Sequence, residues 1–184
     1  GDLQLYAVSQ SSGQGHETAF VLIVTEALGV TGERIRFHES DPDMTVVGNG
    51  TGGSRSLLGA GSAFKLLGAK LIDCARPFAA AELGVAQDAL TYREGAFHAG
   101  DRQVGFFELA AKLAAGIPDG SPHPMDCAAE GSFGATIPNG CHIAEVEIDP
   151  ETGAIDLVAH TTVDDAGHVV DHPGVEGQVQ GGVM

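Results

Sequence analysis

Nine residues, Gly48-Asn49-Gly50-Thr51-Gly52-Gly53-Ser54-Arg55-Ser56, bring together four glycines, three hydroxyls and one arginine just before an apolar segment at helical spacing. Glycines let the main chain come close to a ligand and take positive φ, so that successive N–H groups can face one concavity. A helix that starts there adds unpaired N–H donors and the positive end of its dipole. Arg55 offers a charged fork to an oxyanion. The chemistry indicated is anion binding, with phosphate or pyrophosphate as the guest. A plain loop in which Ser54 or Ser56 caps the helix fits the same composition. No Gly-Lys-Ser/Thr follows and the dinucleotide-fold glycine spacing is missing, so two common nucleotide-binding loops are disfavoured.

A second stretch has the same character. Gly13-Gln14-Gly15-His16-Glu17-Thr18 stands between a predicted strand, Leu3 to Val8, and an apolar run from Ala19 to Leu28. That run is apolar nearly all round, which predicts a buried helix closed by Gly29. A third donor-rich segment, with Gln178 and Gln180 beside Gly177, Gly181 and Gly182, follows Pro173 near the end of the chain. Three such loops could converge on one extended polyanion.

The elements that must hold these loops follow from periodicity. Arg34 to His38 reads as a strand compatible with parallel pairing, followed by an acidic turn containing Asp41-Pro42-Asp43. Leu57, Ala60, Phe64, Leu67, Leu71 and Ala75 recur every three or four residues and predict a long helix that Arg76-Pro77 ends or kinks. A further helical segment runs to Leu83, with Gly84 as its stop. Glu94-Gly95 marks a hairpin between Leu90–Tyr92 and Ala96–His98, and a short helix spans Phe106 to Ala115. Residues 117–124 read as a linker or loop. Ala144, Val146 and Ile148 pair across the turn 149–153 with Ile155, Leu157, Ala159, Thr161 and Val163, and 164–167 end that hairpin. The pattern is α+β, mixed sheets with packed helices, in one domain over 1–184 with possible sub-halves 1–116 and 117–184.

A chain of 184 residues with 43% apolar content can bury a real core. Its net charge of −16, with only 9 Lys and Arg, argues against nucleic acid or an anionic membrane as the main partner. Phosphate held against that field requires neutral loop dipoles more than a basic patch. No apolar run of about 18 residues is present. Cys74, Cys127 and Cys141 lack metal or secretory spacing and read as reduced and mostly packed. His160, His168 and His172 share no regular element that would make a zinc frame, and Asp164 and Asp165 read as turn-formers.

Four motifs, in order, carry a resemblance. They are 13–18; 50–56; Pro138-Asn139-Gly140-Cys141-His142 running on through 146–153; and 163–167 followed by Glu176-Gly177-Gln178-Val179-Gln180-Gly181-Gly182. Together they resemble the molybdenum hydroxylases, the family of xanthine dehydrogenase, aldehyde oxidase and the large chain of aerobic carbon monoxide dehydrogenase. The resemblance implies the second molybdopterin-binding portion of a catalytic subunit and, as cofactor, molybdenum–molybdopterin cytosine dinucleotide. It implies that Gln14, Gly15 and His16 contact the pterin-phosphate region, that Thr51, Gly52, Gly53, Ser54, Arg55 and Ser56 wrap phosphates and pterin, and that Gln178 bonds the pterin or dithiolene side. Asp165 and Ala166 fall near the nucleotide end. Gly53 falls where a small residue lies near the metal's ligand sphere. The implied reaction is oxidative hydroxylation of an aldehyde, purine or N-heterocycle, or oxidation of carbon monoxide. Implied partners are the rest of the molybdenum subunit, iron-sulfur and flavin subunits or domains and a small-molecule substrate, in a cytoplasmic dimer of heteromers. The family's catalytic glutamate falls beyond Met184, so no catalytic residue or metal ligand is assigned here, and the isolated chain is expected to be inactive and free of cofactor. A non-catalytic module, or one half of a split subunit used in assembly, is the competing expectation.

Overall fold

In the structure, a computed structural model that describes residues 1–39, 41, 43–44 and 47–184, the chain forms two units, 1–133 and 134–184. Of the acidic turn expected from the sequence, Pro42 lies outside the described residues, whereas the Asp43 N–H donates to Asp41 Oδ1 at 2.9 Å.

The first unit opens with β1 (Leu3–Ala7), α1 (His16–Leu28) and β2 (Ile35–Glu39), and the two strands pair in parallel from Leu3↔Ile35 to Ala7↔Glu39. Parallel pairing needs a crossover, and α1 supplies it. Helix α1 was expected to be buried on most sides. It instead buries a single stripe, His16, Phe20, Val24 and Leu28, spaced four apart, while Leu22 on another face is 40% exposed. A helix that meets its neighbours along one line can bury no more than that stripe.

One π turn, Leu57–Gly61, leads into α2 (Ser62–Leu83), and Pro77 lies inside this helix without ending it. Proline removes one i→i−4 bond. The stripe Phe64, Gly68, Leu71, Ala75, Ala79 and Leu83 is buried on both sides of Pro77, and that tertiary burial carries the helix on to Gly84. A three-stranded antiparallel meander follows: β3 (Thr91–Arg93), β4 (Ala96–Ala99) and β5 (Arg102–Gly105), the last of which the sequence pattern does not mark as a strand. Helix α3 (Phe106–Ala114) completes the set. Residues 117–124, read as a linker, belong to this unit. His123 lies 3.0 Å from the Ala110 carbonyl, and Met125 just beyond it is buried.

The core joins all of these elements. Phe20 meets Phe64 and Phe37 at ring separations of 5.2 and 5.3 Å, and Phe97 meets Tyr92 at 4.8 Å. The Tyr92 hydroxyl donates to the Leu28 carbonyl at 2.8 Å, which ties the meander to the end of α1, and burial pushes its pKa up to about 12. A folded-state pKa above the ordinary value of 10.0 means the neutral phenol stabilises the fold fully below that pH, and the contribution is lost as pH rises toward about 12. Tyr92→Phe is expected to cost about 1 kcal/mol at neutral pH. It should also flatten the alkaline loss of stability, as read by urea unfolding from pH 8 to 12.

The second unit is a long hairpin, β6 (Asn139–Ile148) with β7 (Ile155–Asp165), and α4 (His172–Val183). The expected alternation of apolar residues does not run the length of this hairpin. The register slips at Glu145/Val146, where Glu145 faces Ala159 and Val146 faces Leu157, and Val158 is left over. An extra residue on one strand resets the period of two. Cys141, expected to be packed, is exposed on β6, while Cys74 and Cys127 are half-buried and all three are free thiols.

Candidate functional site

The parallel pair β1–β2 ends at Ala7 and Glu39, and α1 begins at His16, so the loop between them lies at the carboxyl ends of two parallel strands. In α/β units that edge is where ligands bind. A cavity of about 310 Å³ opens there, lined by Ser11, Gly13, Gly15, His16, Glu17, Thr18, Phe37 and Glu39.

Gly15 starts α1 in the left-handed region, with φ 75° and ψ 35°, and no side chain caps the helix. A residue with a Cβ is strained in that conformation. The first N–H groups of α1 therefore reach the cavity rim with no capping oxygen, in keeping with an anion-binding helix start.

His16 is 4% exposed and stacks on Phe20 at 4.9 Å. Its Nδ1 is buried with no hydrogen-bond partner, and Glu39 Oε2 lies 3.9 Å from it. The same Glu39 oxygen accepts the Ser11 N–H at 2.7 Å. On the other side of the ring, Gln14 Nε2 is 3.1 Å from His16 Nε2. Gln14 Oε1 takes the Ser12 N–H, and its amide nitrogen donates to the Gln10 carbonyl at 3.4 Å.

Gln10 also holds the second glycine loop. Its carbonyl accepts the Thr51 hydroxyl, and its side-chain oxygen accepts the Thr51 N–H at 3.4 Å. Ser56 Oγ reaches Thr51 Oγ1 at 3.5 Å. The structure thus brings Gln14, Gly15 and His16 together with Thr51 and Ser56, around a residue that sequence reasoning passed over as a strand end. Gly53 and Ser54 both have positive φ, 60° and 54°. For Ser54 this is stored strain, of the kind found where a loop is shaped for a ligand. Arg55 is exposed and has no ion-pair partner among the described residues, so its fork is available to an anion. Neither Ser54 nor Ser56 caps the following helix, because Ser56 is already helical and the Gly59 N–H bonds to the Arg55 carbonyl at 2.8 Å.

Glu39 was also missed. The signal for it was present: an acid on the last residue of a strand compatible with parallel pairing, the edge where such sheets bind ligands.

The remaining sequence candidates lie in the second unit. Asp165 ends β7, and its Oδ1 accepts the Gly167 N–H at 2.9 Å, the turn-forming role expected of it; Ala166 sits within that turn. Gln178 is exposed in the middle of α4. The start of that helix does not offer all its donors, because the Asp171 carboxylate accepts the Gly174 N–H at 3.1 Å.

The lining suits a guest with acceptors and donors together. Helix N–H groups and hydroxyls would meet a phosphate or a ring carbonyl, while the Glu17 and Glu39 carboxylates would meet ring N–H groups. A pterin that carries a phosphate presents both, and the orphaned His16 Nδ1 is a buried polar atom of the kind that binding sites contain. The site is that of a ligand-binding domain with parallel strands feeding glycine loops.

Residues 1–184 match the family model described as molybdopterin cofactor-binding domain, and the chain belongs to that family. It is 29% identical over 179 residues to the 6-hydroxypseudooxynicotine dehydrogenase complex subunit gamma of Paenarthrobacter nicotinovorans, with 95% of this chain and 22% of that protein covered. To the carbon monoxide dehydrogenase large chain of Hydrogenophaga pseudoflava it is 31% identical over 179 residues, covering 94% and 22%. Its fold superposes on quinoline 2-oxidoreductase from Pseudomonas putida 86 with a TM-score of 0.77 and 26% identity, over 100% of this chain and 24% of that one. The chain thus spans about a fifth of the length of these relatives. No helix among the described residues is long and apolar enough to cross a membrane.

Proposed function

We propose that this chain contributes part of the cofactor cradle in the catalytic subunit of a molybdenum hydroxylase or dehydrogenase, holding molybdopterin in its cytosine dinucleotide form. The observation that carries this reading is the cavity at the ends of β1 and β2, where the uncapped start of α1 and the buried His16 face one space. In a chain of net charge −16, backbone dipoles hold a phosphate without a basic patch. Gln14, Gly15 and His16 would hold the pterin-phosphate region, and Thr51 to Ser56, with Arg55 outermost, the phosphates. In the second unit, taken by itself, Asp165 and Ala166 are proposed as contacts near the nucleotide end and Gln178 as a contact to the pterin or dithiolene side. The bound molybdenum would supply the redox chemistry, while these residues bind and orient the cofactor and exclude water from it. The relatives' names point to carbon monoxide or an N-heterocycle as the substrate class. Iron-sulfur and flavin partners, in a cytoplasmic complex that is a dimer of heteromers, belong to the proposal on the strength of the family resemblance alone.

The test uses the complete catalytic subunit that carries this chain. Gly15→Val, placed where φ is +75°, is expected to lower bound molybdenum and acid-released cytidine nucleotide at least tenfold, with the melting temperature changed by only a few degrees. Retention of both at wild-type levels would overturn the proposal. Release of a nucleotide other than cytidine would overturn the dinucleotide assignment.

A further inference from the structure

The Gln14 amide has its orientation fixed by its neighbours. Its oxygen must face the Ser12 N–H, which can only donate, and its nitrogen must face the Gln10 carbonyl, which can only accept. The group 3.1 Å from His16 Nε2 is therefore an N–H donor, and Nε2 has to accept. A neutral imidazole whose Nε2 accepts carries its proton on Nδ1. That Nδ1–H is buried, lacks a hydrogen-bond partner, and lies 3.9 Å from Glu39 Oε2, with no cation beside it among the residues that line the cavity.

We infer that Glu39 is a positioning residue for the cofactor site: its carboxylate, together with the Gln14 amide on the other ring nitrogen, holds the cavity-lining His16 in the Nδ1–H tautomer. The ligand side of this inference rests on the proposed molybdopterin function; the tautomer does not. Glu39 performs two tasks from the end of β2. It anchors the loop through the Ser11 N–H at 2.7 Å, and its negative charge favours a proton on the ring nitrogen that faces it. Register places it there, because Glu39 is the last β2 residue paired with β1, opposite Ala7. Histidine free in water favours the opposite tautomer, so the arrangement leaves a spectroscopic mark.

The measurement is a long-range proton–nitrogen correlation spectrum of the chain labelled with 15N-histidine, with His16 assigned by the signals lost in His16→Gln. Wild-type His16 is expected to show a protonated Nδ1 and a bare Nε2. In Glu39→Gln, which keeps an acceptor for the Ser11 N–H but removes the charge, the ratio of Nδ1–H to Nε2–H should fall severalfold. Bound molybdenum in the complete subunit carrying the same substitution should also fall severalfold. Wild-type His16 with its proton on Nε2 overturns the inference without any variant having to fold. An unchanged ratio in Glu39→Gln overturns it as well. Full cofactor retention in Gly15→Val would instead defeat the functional reading and leave the tautomer result intact.

Discussion

Phe20→Ala is expected to destabilise the first unit by roughly 3–5 kcal/mol, the range for removing a fully buried aromatic side chain. Phe20 is 0% exposed, and its ring touches three others: His16 at 4.9 Å, Phe64 at 5.2 Å and Phe37 at 5.3 Å. Each partner comes from a different part of the unit, namely the start of α1, the start of α2 and β2. The void would open directly beneath the cavity that Phe37 and His16 line. Close collapse is difficult there, because His16 is held by Gln14 from one side and faces Glu39 on the other. The loss should therefore lie near the upper end of the range. Urea unfolding of the chain, followed by far-UV circular dichroism, gives the number; a change below about 1 kcal/mol would mean that the aromatic cluster is not the centre of the core. Phe20→Leu keeps most of the volume and should cost less than half as much.

The same cluster shows what could be read from the sequence. Phe20 and Phe64 stand out in their apolar runs, so the helices were legible, as were β1, β2 and the inner part of the hairpin, 144–163, which the structure extends to 139–165. Periodicity does not say how many sides of α1 meet other elements, so an all-round apolar pattern predicts burial for Leu22 as much as for Phe20. It could not say whether Pro77 would end a helix, because that depends on the apolar stripe continuing to Leu83 and finding a partner. Strand β5 escaped because Arg102–Gly105 is four residues long and runs straight into α3. Both glycine loops were legible as tight turns ahead of helices, since the need for positive φ selects glycine itself. What joins them was not. Gln10 acts through its carbonyl, which every residue has, and Glu39 acts through strand register, which a single strand pattern does not contain. Functional groups that work by placement leave a weaker trace in composition than groups that work by their own shape.

Gly68→Ala tests whether the two helices that carry the glycine loops are held at a fixed distance. In an open helix this substitution gains about 1 kcal/mol, because glycine is the weaker helix former. Here the expectation has the opposite sign. A Cβ built on Gly68 would lie 2.5 Å from the Cβ of Ala27 on α1, and neither group has a rotamer by which to move away. Only a separation of the α1 and α2 backbones relieves the contact, and overpacking of this kind costs about 1–3 kcal/mol. The two loops lie at the amino ends of these helices, so a shift at the crossing also strains the Gln10 bonds to Thr51. Ala27→Gly removes the opposing methyl group. The double variant should recover most of the loss caused by Gly68→Ala, beyond what the two single changes predict when added. Equilibrium unfolding of all four proteins measures that coupling. Additive single effects would show that the helices are free to slide at Gly68, and that the spacing of the loops is set by Gln10 alone.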